Sequence, residues 1–205
     1  MSNIAIIDCG ISNLTSVLHA FEFLKIPTQI VQRPEELKSF SHLVLPGVGA
    51  FPQGVENLRA RGFFQAVPEL VKSGKPILGI CLGMQLLAEL GEEFSLTPGL
   101  ALIPGKVKKI PTQSAEIRLP HIGWNSVTVH SPSALWRGLE KDPTFYFLHS
   151  YAFADLPVEL VAAHCEYGHS IIAAVERENV YGVQFHPEKS QKTGLKLLEN
   201  FAKLC

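Results

Sequence analysis

Charge is scarce in this sequence, and what there is cancels. Asp, Glu, Lys and Arg make up 18% of its 205 residues, against about 25% in an average soluble domain. Eighteen Lys and Arg face nineteen Asp and Glu. That leaves no basic excess to attract a phosphate backbone, so no nucleic-acid partner is expected. Long apolar runs are missing too. The longest mostly apolar stretch runs only from residue 76 to 88 and contains Gln85, whereas a spanning helix needs about 20 residues. No membrane association is expected. The first residues carry no basic segment or cleavage pattern, so no leader is expected. Cysteine is sparse: Cys9, Cys81, Cys165 and Cys205 are irregularly spaced, with no C-x-x-C pair. This usage points to the reducing cytoplasm, with at most one cysteine doing chemistry. His and Cys lack metal-ligand spacing, so no metal is expected. His186-Pro187-Glu188 could begin a zinc-deaminase signature, but the required P-C-x-x-C is absent. Linkers, internal repeats and low-complexity segments are also missing. The whole chain, 1–205, reads as one domain, long enough to bury about 70% of its unfolded surface. Low charge hints at an apolar, partner-facing surface, although a well-buried α/β core explains it more simply.

What is present alternates. Residues 3–7, 28–31, 42–45 and 76–80 read as short apolar strands, with Pro46 ending the third. Residues 14–24, 55–61, 63–71 and 84–90 read as helices between and after them, broken at Gly62, and Pro34 opens a short helical turn. Such alternation predicts an open, mostly parallel sheet with helices on both faces. The second half is strand-rich, with strands expected at 105–110, 122–129, 144–148, 160–164, 171–176 and 180–184. An amphipathic helix at 193–204 closes the chain. The fold class is therefore α/β with a flavodoxin-like core and a strand-rich second half.

Gly79-Ile80-Cys81-Leu82-Gly83 follows an apolar strand and precedes a helical run. This is the G-x-nucleophile-x-G elbow with cysteine as nucleophile. A strand that turns sharply into a helix needs small residues beside the apex. The free N–H groups of the helix start favour a thiolate. The N–H of Leu82, next after the nucleophile, is positioned to hold an oxyanion. A thiolate also needs a base and a group to orient that base. His186 with Glu188, directly after the strand at 180–184, can serve as the pair. H-P-E is weak alone and strong beside the elbow. The other seven histidines lack such a neighbour and read as surface or satisfied core residues. Pro46-Gly47-Val48-Gly49 can point backbone N–H groups into a site at the strand ends. It is not a dinucleotide loop, because Pro52 stands where the third Gly or Ala is required, and no phosphate-binding loop exists elsewhere. The basic stripe Lys106, Lys108 and Lys109 reads as a solvated strand face.

Together these segments resemble a class I, triad-type glutamine amidotransferase. Finer matches are Ile6-Ile7-Asp8 with Gly10 and Asn13-Leu14, Pro46 to Phe51, Gly79 to Leu87, Ile103-Pro104-Gly105, Pro120-His121-Ile122-Gly123-Trp124-Asn125, His149-Ser150-Tyr151 and Gly182 to Ser190. This set is similar to the glutaminase subunits of imidazole glycerol phosphate synthase, over residues 4 to about 201. The resemblance implies hydrolysis of glutamine through a Cys81 thioester, with His186 and Glu188 completing the triad. It implies an oxyanion hole from Val48, Gly49 and Leu82, and glutamine held by Gly47, Gln85, Glu93, Ser150 and Tyr151. Ammonia would pass to a (β/α)8-barrel cyclase partner in a heterodimer, with Asn13, Trp124, Tyr146 and Lys189 near the partner and the ammonia path. No cofactor is implied. Cys9, Ser12 and Gly91 depart from the family's common Tyr, Gly and Ser. Glutaminase subunits of anthranilate or aminodeoxychorismate synthase share the elbow and H-P-E, but not usually Gly-Trp-Asn or Pro-Glu-Lys-Ser. A non-catalytic partner-binding relative is the remaining alternative.

Overall fold

The computed structural model describes residues 2–10, 13–112 and 117–204. Ser12 and Cys205 lie outside the described residues. The first half runs β1 (Ile4–Ile7), α1 (Leu14–Phe23), β2 (Thr28–Val31), a 3₁₀ turn (Pro34–Ser39), β3 (His42–Gly47), α2 (Phe51–Ala60), α3 (Phe63–Lys72), β4 (Ile77–Cys81) and α4 (Leu82–Leu86). Then come β5 (Ala88–Gly91), β6 (Thr97–Pro98), β7 (Ile103–Lys109), β8 (His121–Val129), β9 (Thr144–His149), β10 (Tyr151–Ala154), β11 (Val161–Glu166), β12 (Ser170–Arg177), β13 (Val180–Val183) and α5 (Gln191–Ala202).

A nine-stranded sheet has the order β2-β1-β3-β4-β13-β12-β11-β8-β9. Its first five strands are parallel, and the rest continue antiparallel. The parallel strands are apolar at consecutive positions because both faces are covered. In β1, Ile4 and Ile6 enter a core with Val17 and Phe21 of α1 and Leu197 and Phe201 of α5. Ala5 and Ile7 enter the opposite core, with Phe51 and Leu58 of α2 and Val67 of α3. A four-stranded sheet, β10-β7-β5-β6, joins the second core through Ile103, Val107 and Phe153. Among the described residues no helix is long and apolar enough to cross a membrane.

Four local expectations are corrected. The helix expected at 84–90 ends at Leu86, and Ala88–Gly91 is β5, paired in parallel with β7. With residues 84–88 all buried and only Glu89 exposed, so short a run carries no decisive period, and strand pairing settles it. The third strand does not stop at Pro46: Pro46 and Gly47 stay in register with Ile80 and Cys81. The helix expected from 55 begins at Phe51, with Pro52 in its first turn, where its missing N–H costs nothing. Most strands of the second half extend the main sheet rather than forming a separate layer, because β13 returns beside β4.

Candidate active site

Three loops leave the parallel strands at one edge. β3 ends at Gly47, β4 at Cys81 and β13 at Val183, with Gly47 paired to Cys81 and Val183 to Ile80. Ligands of open α/β sheets bind at this carboxyl edge. The register therefore brings the Val48-Gly49 loop, the cysteine elbow and the segment from Gln184 to Glu188 to one place.

Cys81 has φ 55° and ψ −113°, a conformation that non-glycine residues rarely adopt. The chain can turn there only because glycines stand two residues to either side. A Cβ on Gly83 would lie 1.7 Å from the Leu45 carbonyl oxygen, and one on Gly79 would lie 2.7 Å from backbone atoms of Gly83 and Met84. The Cys81 side chain is buried and its Sγ is 3.7 Å from the Leu148 carbonyl oxygen. The Gln184 amide donates to the same sulfur at 3.9 Å.

His186 Nδ1 lies 2.8 Å from Glu188 Oε1, with both side chains almost wholly buried. The His186 N–H donates to the Tyr146 carbonyl, and Ser190 Oγ donates to the His186 carbonyl. Those bonds fix the ring's height above the sheet. Among the described residues, His186 Nε2 has no hydrogen-bond partner. Burial alone would lower the pKa of His186; the Cys81 thiol and the Glu188 carboxylate override it, and the pKa is raised. The thiol thus acts on the imidazole without a well-formed hydrogen bond, the usual looseness of a site before substrate tightens it. Cys165 contrasts: burial pushes its thiol up to about 12, and it takes no part.

A cavity of about 300 Å³ opens over Cys81, lined by Val48, Gly49, Leu82, Gln85, Glu93, Ser150, Tyr151 and His186. Every residue expected to meet substrate lies on this wall except Gly47. Gly47 lies behind it, beside a small void shared with Asn13, His186 and Glu188. Glu93 Oε2 accepts from the Phe51 N–H at 2.7 Å. The departure at Gly91 has a local cause, since a Cβ there would fall 2.4 Å from the Phe51 ring. Cys9, at the second departure, is buried with Sγ 3.6 Å from the Pro46 carbonyl, at the root of the Val48-Gly49 loop. Pro120, Leu148 and His149 also line the cavity. With Gln184 they were not singled out from sequence. Pro120, His149 and Gln184 lie inside motifs of the family resemblance, but nothing in those motifs shows which side chain faces the thiol.

The expected partner-side residues sit at one rim. Trp124 and Tyr146 are cross-strand partners with ring centroids 6.0 Å apart, and Lys189 Nζ lies 5.8 Å from the Tyr146 ring centre. Asn13 is exposed at the start of α1.

A family model described as Glutamine amidotransferase class-I matches residues 5–205. The chain belongs to this family. Within it, the chain is similar along its whole length to the imidazole glycerol phosphate synthase subunit HisH of Moorella thermoacetica, at 44% identity over 204 residues, which are 100% of this chain and 96% of that protein. Subunit HisH 1 of Campylobacter jejuni is 43% identical over 202 residues, 98% of this chain and 100% of that protein. Among solved structures, PurLQS from Thermotoga maritima superposes with a TM-score of 0.75 over 98% of both chains at 18% identity, a likeness of fold.

Proposed function

We propose that the chain is the glutaminase subunit of an imidazole glycerol phosphate synthase, acting in histidine biosynthesis as a single amidotransferase domain in the cytoplasm. Full-length similarity to HisH subunits supports the pathway. The observation that carries the chemistry is a strained, buried cysteine facing the same cavity as a histidine held by a buried carboxylate.

Cys81 attacks the side-chain carboxamide of glutamine as its proton passes to His186. The tetrahedral oxyanion is received by the N–H of Leu82 and one from Val48-Gly49. His186 then protonates the departing nitrogen, leaving ammonia and a glutamyl thioester. The histidine next takes a proton from water, which attacks the thioester and releases glutamate and the thiol. Glu188 holds the imidazole in place throughout. Gln85, Ser150 and Tyr151 position the amino acid, and the Glu93 carboxylate suits its α-ammonium; Gly47, behind the cavity wall, lets its loop pack on the elbow, where an added Cβ would lie 3.0 Å from the Gly83 nitrogen. Ammonia passes to a (β/α)8-barrel cyclase subunit docked over Asn13, Trp124, Tyr146 and Lys189. The exposed apolar pairs Ile122–Leu148 and Trp124–Tyr146 on the outer face of β8 and β9 supply a surface for it.

The test is glutamate release from glutamine, by the chain alone and with a cyclase subunit plus its nucleotide ligand. Strong stimulation by the liganded cyclase is expected. Cys81→Ala should abolish glutamine-dependent synthesis by the complex and spare ammonia-dependent synthesis. Stimulation only by a chorismate-using partner would move the chain to another branch of the family. Loss of both syntheses in an intact Cys81→Ala complex would contradict the division of labour.

A further inference from the structure

Two histidines outside the triad form a chain whose proton positions are fixed by its two ends. His149 Nδ1 lies 2.8 Å from the Tyr151 carbonyl oxygen. A carbonyl only accepts, so His149 Nδ1 carries the hydrogen. His149 is buried and lines the cavity. Its Nε2 is 3.0 Å from His121 Nδ1. In a neutral ring that Nε2 must accept, so His121 Nδ1 carries the second hydrogen. His121 Nε2 is then an acceptor, and the Asn125 amide reaches it at 3.4 Å. The orientation of that amide is set independently by its 2.8 Å bond to the Glu166 carbonyl. Donor follows acceptor along the whole series with no mismatch.

Both rings are kept neutral. Burial lowers His149 to about 3, with His121 and His186 nearby also opposing a second charge and the Tyr151 bond only partly resisting. Burial lowers His121 to about 4. His121 is also sandwiched between Phe147 and Tyr167, at 4.7 Å and 4.1 Å between ring centres.

The Tyr151 carbonyl is where this series meets the active site. It also accepts from Gln85 Nε2 at 2.9 Å. Gln85 Nε2 gives its other hydrogen to Gln184 Oε1 at 3.1 Å, which turns the Gln184 amide nitrogen toward Cys81 Sγ. The geometry points to His149, backed by His121, as a positioning residue for glutamine hydrolysis: its Nδ1–H fixes the Tyr151 carbonyl, which orients Gln85 and, through Gln184, the donor beside the nucleophile. This deepens the proposed glutaminase reading and rests on it.

The test compares His149→Leu with His149→Asn in the complete synthase complex. Asn places its amide nitrogen near the position of Nδ1, so it can still donate to the Tyr151 carbonyl. His149→Leu should lower kcat/KM for glutamine by about fivefold, the size of one neutral hydrogen bond. The loss should be carried mainly by KM and leave ammonia-dependent synthesis at the wild-type rate. His149→Asn should recover most of the loss. In the unmutated protein, ¹⁵N spectra of labelled histidine should show two neutral Nδ1–H imidazoles persisting to pH 5. Equal impairment of the two variants, or an Nε2–H or charged His149 at pH 6, would overturn the inference. A wild-type complex with no glutaminase activity would instead overturn the proposed function.

Discussion

His186 stands between a neighbour it must deprotonate and one that must hold it. Glu188 lies two residues on, and the turn between them brings Oε1 to 2.8 Å from Nδ1. The raised pKa of His186 favours the protonated ring, the form that donates to departing ammonia once the Cys81 proton has passed to it. Glu188→Gln removes one of the groups that raise it. A hydrogen bond to a charged group is worth about 1.5–3 kcal/mol, so kcat should fall by roughly tenfold to a hundredfold. Because the ring must be protonated to act as acid, lowering its pKa should move the alkaline limb of the pH–rate profile to lower pH. An unmoved limb would show that the carboxylate does not set the charge of the ring. The proposed triad is legible in the sequence because it is local: an elbow of five residues and a pair two apart. His149 and Gln184 were not legible. Their neighbours are fixed by the His121–His149 pairing of β8 with β9 and by the exit of the chain from β13, which a linear reading does not contain.

At the scale of elements, the elbow works because β3, β4 and α4 approach more closely than side chains permit. Gly83→Ala would drive a Cβ against the Leu45 carbonyl, which belongs to β3 and cannot rotate away. A loss of at least about 3 kcal/mol is expected. Gly49→Ala is the contrast. Gly49 has φ +98°, yet nothing lies within 4 Å of an added Cβ, so only backbone strain of about 1–3 kcal/mol should appear. Urea unfolding of both variants checks the order, and equal costs would contradict close approach as the reason for Gly83. Parallel strands were readable as apolar runs, and α1 and α5 as periodic ones. The run 84–90 was not, because residues 84–88 are all buried, Gln85 included, and the exposed Glu89 alone is too little to mark a period. Only the pairing of β5 with β7 separates its helical and extended parts. The two-residue β6 is too short to carry a pattern.

For the molecule as a whole, the buried histidines set an acid limit. His149 and His121 sit at about 3 and about 4 in the native state, against about 6.5 unfolded. The unfolded chain takes up these protons first as pH falls. Stability is therefore fully present above about 6.5 and is lost between there and 4 to 3. At about 1.4 kcal/mol per pH unit per group, each has cost about 2 kcal/mol by pH 5. His42 and His164 are lowered in the same direction by burial. His186, being raised, loses its contribution only as pH rises above 6.5. Urea midpoints at pH 7 and pH 5 should differ accordingly, and equal midpoints would mean that the pair is charged or exposed in the native state. The outer face of the same two strands sets the limit on association. His121 and His149 point inward, while pleating puts Trp124, half exposed, with Tyr146, Ile122 and Leu148 outward. β9 is also the sheet's last strand. A partner covering this face would bury a central aromatic of the kind that dominates binding energy. Trp124→Ala should weaken association with the cyclase by at least about thirtyfold, the equivalent of 2 kcal/mol. Its own stability should change by about 0.5 kcal/mol or less, because half the side chain already meets water. Titration calorimetry against the cyclase separates the two effects. Unchanged affinity would place the docking surface elsewhere and leave this apolar ridge without an occupant.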